Sequence, residues 1–324
     1  MDVRLPPELQ RAVEALARQF PTKDSSARAA ALSATYRSGG SSVAAVQSDA
    51  DVAAYATARM PATYAAITAA LTATHDRVPD FAPHSLLDAG AGPGTASWTA
   101  ASFWPGLRSI TMVDSHARFR AVAAQFTQSS SSSALQASDI VTGDLLTWSA
   151  QGRFDLVIAA YALAEIAQTD LPRALRNLWQ ATDTVLLLVE PGTPAGFQRI
   201  LLARKFLLDM GAKLLAPCPH EKPCPLISPD WCHFAQRLPR LKSHMRAKEA
   251  RVPFEDEKFS YLAVARVDLT VTPSASRILA PPQTKKAEIR LRLCGEGRVD
   301  EVRVPARDKP AYLAASRKNW GETL

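Results

Sequence analysis

The chain has 324 residues, 47% of them hydrophobic and 21% charged, a composition that can form one large core with appendages. No uninterrupted apolar stretch approaches the length of about eighteen residues that a transmembrane helix needs, so the sequence predicts no membrane-spanning segment. The formal net charge of +7 is unevenly distributed: residues 1–194 carry 14 basic and 17 acidic side chains, whereas residues 195–324 carry 24 and 14.

Residues 1–80 are rich in alanine and predict a helical N-terminal extension. Apolar residues recur at helical spacing in Leu9–Phe20 and again in Ala53–Thr74. The first twenty residues include acidic side chains and lack the apolar core of a secretion signal. We therefore expect a cytoplasmic protein whose cysteines stay reduced.

A glycine-rich turn follows the apolar strand predicted at Ser85–Leu87. Glycine lets the backbone turn tightly beneath a ligand because no Cβ stands in the way. The dinucleotide fingerprint G-x-G-x-x-G requires a third glycine where this chain has Thr95. The spacing D-x-G-x-G-x-G instead resembles motif I of the class I S-adenosylmethionine-dependent methyltransferases, in which the loop holds the methionine part of the cofactor. The motif consists of Asp88, Gly90, Gly92 and Gly94.

Further apolar strands follow the turn in the order of a parallel sheet. They are predicted at Ser109–Val113, in the segment Ile140–Leu145, at Phe154–Ala160, at Thr184–Val189, near Lys213–Pro217 and near Phe259–Asp268. Asp114 ends the second strand, where a carboxylate can accept hydrogen bonds from both ribose hydroxyls. Asp144 resembles the acid that reaches the adenine amino group in the methyltransferases. These residues predict an α/β protein with a class I methyltransferase (Rossmann-like) doubly wound sheet.

All four cysteines lie in the C-terminal half of the chain, at Cys218, Cys224, Cys232 and Cys294. Prolines flank the first two and favour a rigid loop whose thiolates converge. Unrelated core cysteines would be scattered, and disulfides do not fit a reducing compartment, so the cluster favours a metal site. Zinc knuckles have tight C-x2–4-C spacings, which this chain lacks, although His220 or His233 could replace one thiolate. Iron–sulfur centres tolerate irregular spacing and a remote fourth cysteine, and both kinds of site remain open at this point.

Residues 195–324 carry a formal net charge of +10. Basic side chains that include Arg240, Lys242 and Arg246 follow the cysteines. A whole segment of this charge beside a near-neutral domain favours a polyanionic partner. RNA is the natural candidate, because phosphate contacts need positive charge and no sequence reading.

The run LLAPCPHEKPCPL…DWCHFAQRLPR…VPFEDEKFSYLAVAR resembles the signature of the methyltransferase-like assembly factors of the mitochondrial small ribosomal subunit and their bacterial homologues. The resemblance extends to the tail, at Tyr312, Arg317 and Trp320–Gly321. It implies a 4Fe-4S cluster on the four cysteines, and small-subunit rRNA as the partner. The sequence then predicts S-adenosylmethionine and this cluster as cofactors, with zinc as the alternative metal.

The resemblance leaves the activity less defined. Amino-directed nucleic-acid methyltransferases carry [DNS]-P-P-[FYW] after the fourth strand, where it holds a flipped base. Here Tyr161 and Glu165 occupy that segment, and neither is diagnostic, so no catalytic residue is assigned. The leading interpretation is an rRNA methyltransferase or methyl-donor-dependent assembly factor. The alternatives are an inactive rRNA-binding assembly chaperone and a zinc-containing methyltransferase.

The predicted organisation has three parts. Residues 1–80 form the helical extension, and residues 81–270 form the methyltransferase-like domain with a cysteine-rich, metal-binding insertion at 213–255. Residues 271–324 form a small basic β extension that supplies Cys294 from a hairpin at Ile289–Pro305. We expect the protein to be a monomer.

Overall fold

A computed structural model describes residues 3–21, 24, 27–31, 46–240, 245, 251–273 and 276–324. Its main feature is an eight-stranded sheet of order β3-β2-β1-β4-β5-β8-β6, with β7 paired to β8. The strands are β1 (Ser85–Ala89), β2 (Ser109–Asp114), β3 (Asp139–Thr142), β4 (Phe154–Ala160), β5 (Thr182–Pro191), β6 (Lys213–Ala216), β7 (Phe234–Pro239) and β8 (Phe254–Ala265). Strands β1 to β5 run parallel, and β8 runs antiparallel to β5, β6 and β7.

Helices cover both faces of the main sheet, which explains why its central strands are apolar on both sides. They are α1 (Pro7–Ala17), α2 (Asp49–Ala58), α3 (Met60–His75), α4 (Thr95–Phe103), α5 (Ala117–Gln128), α6 (Ser133–Gln136), α7 (Leu171–Ala181) and α8 (Pro194–Asp209). One core contains side chains of α1 to α6, and the other contains side chains of α7 and α8. The α/β Rossmann-like sheet predicted from the sequence is therefore confirmed, and the carboxyl ends of its parallel strands form the edge where such sheets bind ligands.

The N-terminal helices differ from the sequence prediction. The single helix expected at Ala53–Thr74 is divided into α2 and α3 at Arg59. Pro61 explains the new start, because proline has no N–H to donate and is tolerated in the first helical turn. Helix α3 is buried on nearly all sides and is not amphipathic, and its own small alanine and threonine side chains allow neighbouring elements to pack closely around it. The first predicted helix, Leu9–Phe20, begins and ends earlier, as α1.

Strand β7 has no counterpart in the sequence prediction. It reads FAQRLP and pairs with the first half of β8, which reads FEDEK, so neither segment has the apolar run of a central strand. Phe234 and Phe259, which pair with each other, are buried in the main core, and the polar remainder of the paired segments extends from it. Strand β8 consequently begins five residues earlier than the predicted Phe259.

Residues near the C-terminus form a second, smaller sheet. Its strands are β9 (Arg277–Ile278), β10 (Gln283–Thr284), β11 (Glu288–Gly295) and β12 (Arg298–Pro305), and helix α9 (Lys309–Ser316) packs on it. The hairpin predicted at Ile289–Pro305 is confirmed: β11 and β12 are joined through Glu296 and Gly297, both with positive φ as a tight two-residue turn requires. Among the described residues, no helix is long and apolar enough to cross a membrane.

Candidate functional site

The glycine-rich loop connects β1 to α4 at the carboxyl edge of the sheet. Gly90, Gly92 and Gly94 have φ of 73°, 54° and 83°, in the left-handed region that glycine alone adopts without strain. A Cβ on Gly90 would lie 2.5 Å from the Cβ of Ala162, so the loop touches the segment that follows β4. A Cβ on Gly92 would have no neighbouring heavy atom within 4 Å. The loop is therefore tightly packed at Gly90 and faces open space at Gly92.

Asp88 supports this loop from below. Its side chain is 1% exposed, and Oδ2 accepts hydrogen bonds from the Ser97 N–H (2.9 Å) and the Ser97 hydroxyl (2.8 Å). Burial raises the pKa of Asp88 to about 7, against the opposing effect of these hydrogen bonds. The carboxyl thus fixes the first turn of α4 against β1, and direct contact of Asp88 with a cofactor stays a prediction.

Asp114 joins the loop to the end of β2. Its Oδ2 accepts a hydrogen bond from the Gly92 N–H at 2.7 Å, and its Oδ1 accepts one from the His116 N–H at 2.7 Å. Burial raises the pKa of Asp114, while the same two backbone donors oppose the rise. The structure therefore brings Gly92 and Asp114 into direct contact.

Asp144 lies one strand further along the same edge. The N–H of the preceding Gly143 donates to the Asp114 carbonyl at 3.3 Å, which places the two acidic positions side by side. The Asp144 Oδ1 accepts the Leu146 N–H at 2.7 Å and orders the turn after β3. The loop and both acids predicted for the cofactor thus meet at one edge, in the order β1, β2, β3.

A polar cluster absent from the sequence prediction lies beyond the end of β4. The Tyr161 hydroxyl donates to Glu257 Oε1 at 2.9 Å, and Arg59 donates to the same oxygen at 3.1 Å. Tyr161 has a φ of 60°, and burial followed by the nearby Glu257 raises its pKa well above the usual value. We call these three residues the tyrosine cluster. Its members come from the α2–α3 junction, the β4 end and β8, and no local pattern signals their meeting.

The four cysteines line one cavity at the junction between the main sheet and the small sheet. Cys218 follows β6, Cys232 precedes β7, and Cys294 lies on β11. The space between the walls, including the part open to solvent, is about 540 Å³. Cys294 Sγ lies 3.7 Å from His220 Nε2. The cavity is also lined by Arg204, Arg277 and Tyr261. We call it the cysteine cavity.

The thiols of the cysteine cavity interact with one another. Burial raises the pKa of Cys232 well above the usual value, and the other three thiols raise it further. Burial also raises the pKa of Cys218, and that of Cys294 to about 12. Burial thus opposes ionisation of these three thiols, and a metal that binds them must displace their protons.

The donor set, four thiols around one cavity, is the type that binds zinc or an iron–sulfur centre. In the part of the chain that the structure describes, no three His, Cys, Asp or Glu side chains lie close enough together to hold a single metal ion.

Of the three residues predicted to bind RNA, the structure describes only Arg240. Lys242 and Arg246 lie outside the described residues. Arg240 is largely buried: its Nε donates to Glu255 at 3.1 Å, and its Nη1 donates to the Val252 carbonyl at 3.1 Å. Its guanidinium is thus engaged within the protein, and an RNA contact at Arg240 stays a prediction.

Other basic side chains are exposed at one end of the small sheet. A hydrogen bond of 2.8 Å from the Ala306 N–H to the Ala287 carbonyl brings the turn before β11 beside the turn after β12. Among the described residues, the exposed basic side chains at these turns and on the adjoining end of β12 form no ion pair, although the pKa of Glu288 is lowered by its hydrogen bond from Arg290 and also by the nearby Arg303 and Lys285. These exposed basic side chains are Lys285, Lys286, Arg303, Arg307 and Lys309, and we call them the basic end.

The sheet order, with an antiparallel strand inserted beside β5, and the glycine-rich loop after β1 define a class I methyltransferase-type fold. The chain belongs to the Rsm22 family, because the family model described as "Mitochondrial small ribosomal subunit Rsm22" matches residues 49–324. The family predicted from the cysteine-rich run is therefore confirmed.

Relatives of the chain are longer than the chain itself. It is 29% identical over 285 residues to the human "Ribosome assembly protein METTL17, mitochondrial", a match that covers 83% of this chain and 61% of the relative. It is 26% identical over 330 residues to the Schizosaccharomyces pombe "Rsm22-cox11 tandem protein 2, mitochondrial", covering 85% and 43%. The chain thus spans less than two thirds of each of these relatives.

Among solved structures, magnesium protoporphyrin IX methyltransferase from Synechocystis is 16% identical, with a TM-score of 0.41 and coverage of 64% of this chain and 82% of that one.

The predicted cytoplasmic location is wrong, because the family model and both curated relatives are described as mitochondrial.

Proposed function

We propose that the chain is an assembly factor of the mitochondrial-type small ribosomal subunit that binds S-adenosylmethionine and carries a 4Fe-4S cluster. The observation that carries the proposal is the cysteine cavity, in which cysteines distant in sequence line one space in a member of the Rsm22 family. The relatives' printed names, which describe ribosome assembly in mitochondria, support the partner and the location.

The cofactor-binding part of the proposal depends on the carboxyl edge of the sheet. Gly92 would lie against the methionine part, Asp114 would accept hydrogen bonds from the ribose and Asp144 would lie near the adenine. The open space at Gly92 and the contact between Gly92 and Asp114 support this assignment. S-Adenosylmethionine, when bound, supplies an electrophilic methyl group. The residues of this edge would bind and orient the cofactor, and Asp88 would hold the loop in place through its hydrogen bond from the Ser97 N–H.

The cluster would be held by Cys218, Cys224, Cys232 and Cys294. A cluster of several atoms needs ligands around a space, whereas a zinc ion needs four ligands at about 2.1–2.3 Å from one point. The four thiols that line the cysteine cavity are a donor set for either centre, and the resemblance of the cysteine-rich run to the family signature favours the cluster. When bound, the cluster supplies metal–thiolate bonds, and these would connect the loop after β6 to the small sheet that carries Cys294.

The basic end supports rRNA as the partner. These cations are exposed and, within the described residues, carry no ion pair, so their charge is available to phosphates. They lie at the opposite end of β11 and β12 from the turn that contacts the cysteine loop, where Lys222 donates to the Glu296 carbonyl. RNA binding at the basic end and metal binding in the cysteine cavity therefore use different surfaces of the small sheet.

Co-sedimentation with small-subunit precursors tests this partner. Reversing the charges of Arg303, Arg307 and Lys309 should reduce co-sedimentation and make it less dependent on salt concentration, because a complex with fewer phosphate contacts releases fewer counterions when it forms. The matched control reverses Arg298, which is exposed on β12 but already paired with Asp300 at 2.8 Å. Equal co-sedimentation of the triple variant and the wild type would contradict the proposed RNA surface.

Methyl transfer is the leading activity, and binding without transfer is the second candidate. The tyrosine cluster favours the second, because Tyr161 stands where nucleic-acid methyltransferases hold the target base, and its hydroxyl is bonded to Glu257. Radiolabelled S-adenosylmethionine separates the two. An enzyme labels small-subunit RNA and loses this activity in Gly92→Arg, whereas a chaperone co-sediments with precursors and transfers no label.

A further inference from the structure

We propose that Arg204 and Arg277 are positioning residues of the cysteine cavity: they supply the positive charge and N–H donors that hold the thiolates, and so set the reduction potential of the centre bound there. The inference rests on the proposed cluster. It adds a role for two residues that lie far apart in the chain and carry no recognisable motif.

Arg204 reaches the cavity from helix α8. It is 6% exposed, and one terminal nitrogen donates to the carbonyls of His220 and Lys222, both at 2.8 Å. These two bonds fix the loop between Cys218 and Cys224. The Arg204 Nε–H is buried and, within the described part of the chain, has no acceptor. A buried N–H without an acceptor is costly, so an arginine in this position indicates an acceptor that arrives with the bound centre.

Arg277 reaches the cavity from strand β9. It is 4% exposed, its Nε donates to the Pro217 carbonyl at 2.8 Å, and a terminal nitrogen donates to the Gly321 carbonyl at 2.6 Å. Pro217 directly precedes Cys218, and Arg277 itself pairs with Cys294 in the small sheet. The Arg277 side chain therefore links the residue before the first cysteine to the C-terminal tail, and its backbone pairs with the last cysteine.

The two guanidinium groups have no carboxylate partner among the described residues. Their hydrogen bonds to oxygen are to backbone carbonyls, which carry no net charge, and Arg204 also forms a hydrogen bond with the Cys218 thiol. A third buried cation, Arg77, lies near Arg277, and burial together with Arg277 lowers the pKa of Arg77. Buried charges are costly unless they are paired. Four metal-bound thiolates would supply the missing negative charge, so the cavity is electrostatically prepared for an anionic centre.

This arrangement predicts a specific redox property. One-electron reduction adds a negative charge to an already anionic thiolate-bound cluster. Nearby cations and N–H donors to sulfur stabilise the reduced form and raise the reduction potential. A variant that loses the charge of Arg204 should therefore have a more negative potential.

The test uses the full chain, purified without oxygen, and a titration with dithionite followed by electron paramagnetic resonance. Arg204→Gln should lower the equilibrium constant for reduction at least tenfold, which is about 59 mV for one electron. It should also release iron to a chelator faster. Arg204→Lys keeps the charge but not the forked donors and should give a smaller shift. The matched control is Lys205→Gln, which removes the same charge from an exposed position on the same helix, where Lys205 pairs with Asp209.

One result would overturn the inference and leave the proposed cluster standing. In it, the wild-type protein contains iron and sulfide, but Arg204→Gln has the same reduction potential and the same rate of iron release as Lys205→Gln. A wild-type protein without iron and sulfide overturns the proposed cluster, and the inference with it. Arg277 also connects the tail to the loop, so Arg277→Gln would change folding as well as the charge of the cavity. The test therefore uses the variants at Arg204.

Discussion

Replacing single glycines of the loop by alanine should separate folding from cofactor binding. Gly90→Ala introduces a Cβ 2.5 Å from the Ala162 Cβ, in a backbone conformation that alanine rarely adopts. The left-handed backbone costs about 1–2 kcal/mol and the overpacking about 1–3 kcal/mol, so the free energy of unfolding should fall by about 2–5 kcal/mol. Gly92→Ala pays only the backbone cost, about 1–2 kcal/mol, since nothing lies within 4 Å of its Cβ.

Cofactor affinity should rank the two variants in the opposite order: Gly92→Ala, which is destabilised less, should lose more affinity than Gly90→Ala. The Cβ of Gly92→Ala would stand in the open space assigned to the cofactor, so affinity for S-adenosylhomocysteine should fall at least about tenfold, or about 1.4 kcal/mol. Urea unfolding measures the stabilities, and calorimetric titration of the folded variants measures affinity. Gly106→Ala is the control, because Gly106 is exposed and its added Cβ also meets no atom within 4 Å. Wild-type affinity in Gly92→Ala would refute the assignment of the cofactor to this space.

Three further predictions concern other parts of the site. The folded Asp88 carboxyl binds its proton more tightly than in the unfolded chain, since its pKa is raised from 3.8 to about 7, so its contribution to stability is present at low pH and is lost as pH rises between these values. The wild type should therefore lose up to about 4 kcal/mol of its free energy of unfolding as pH rises, and Asp88→Asn should not. Urea unfolding from pH 4 to 7 should show a free energy of unfolding that depends less on pH in Asp88→Asn, and an unchanged pH dependence would contradict the raised pKa. Glu257→Gln should lower the free energy of unfolding by about 3 kcal/mol, because Arg59 loses its partner in a largely buried site; double-mutant analysis with Tyr161→Phe should show coupling, and additive effects would argue against the tyrosine cluster. Cys224→Ser should lose iron and the visible chromophore, measured by absorption and metal analysis, and full retention of both would exclude Cys224 as a ligand.

Local patterns in the sequence were sufficient to predict the parallel sheet and the loop. Apolar runs identify strands that are buried on both faces, and glycine at alternate positions identifies a turn with positive φ. The paired strands β7 and β8 show the limit of this reasoning. Strand β7 and the first half of β8 are polar and pair with each other, so their structure depends on a contact between segments that are separate in the sequence.

The candidate site shows the same distinction. The clustering of the cysteines was visible because three lie in one short run. The tyrosine cluster was not, since Arg59 and Glu257 are 198 positions apart and each looks like an ordinary surface charge. Arg204 and Arg277 were also missed, because one lies on a helix and the other in a short strand, and only the fold places both at the cysteine cavity.

Iron and acid-labile sulfide analysis of the full chain, purified without oxygen, tests the central claim most directly. The account predicts about four iron and four sulfide per chain, the content of a cluster held by four thiolates. About one zinc ion per chain with no labile sulfide would contradict it and would assign the cysteine cavity to a structural zinc site.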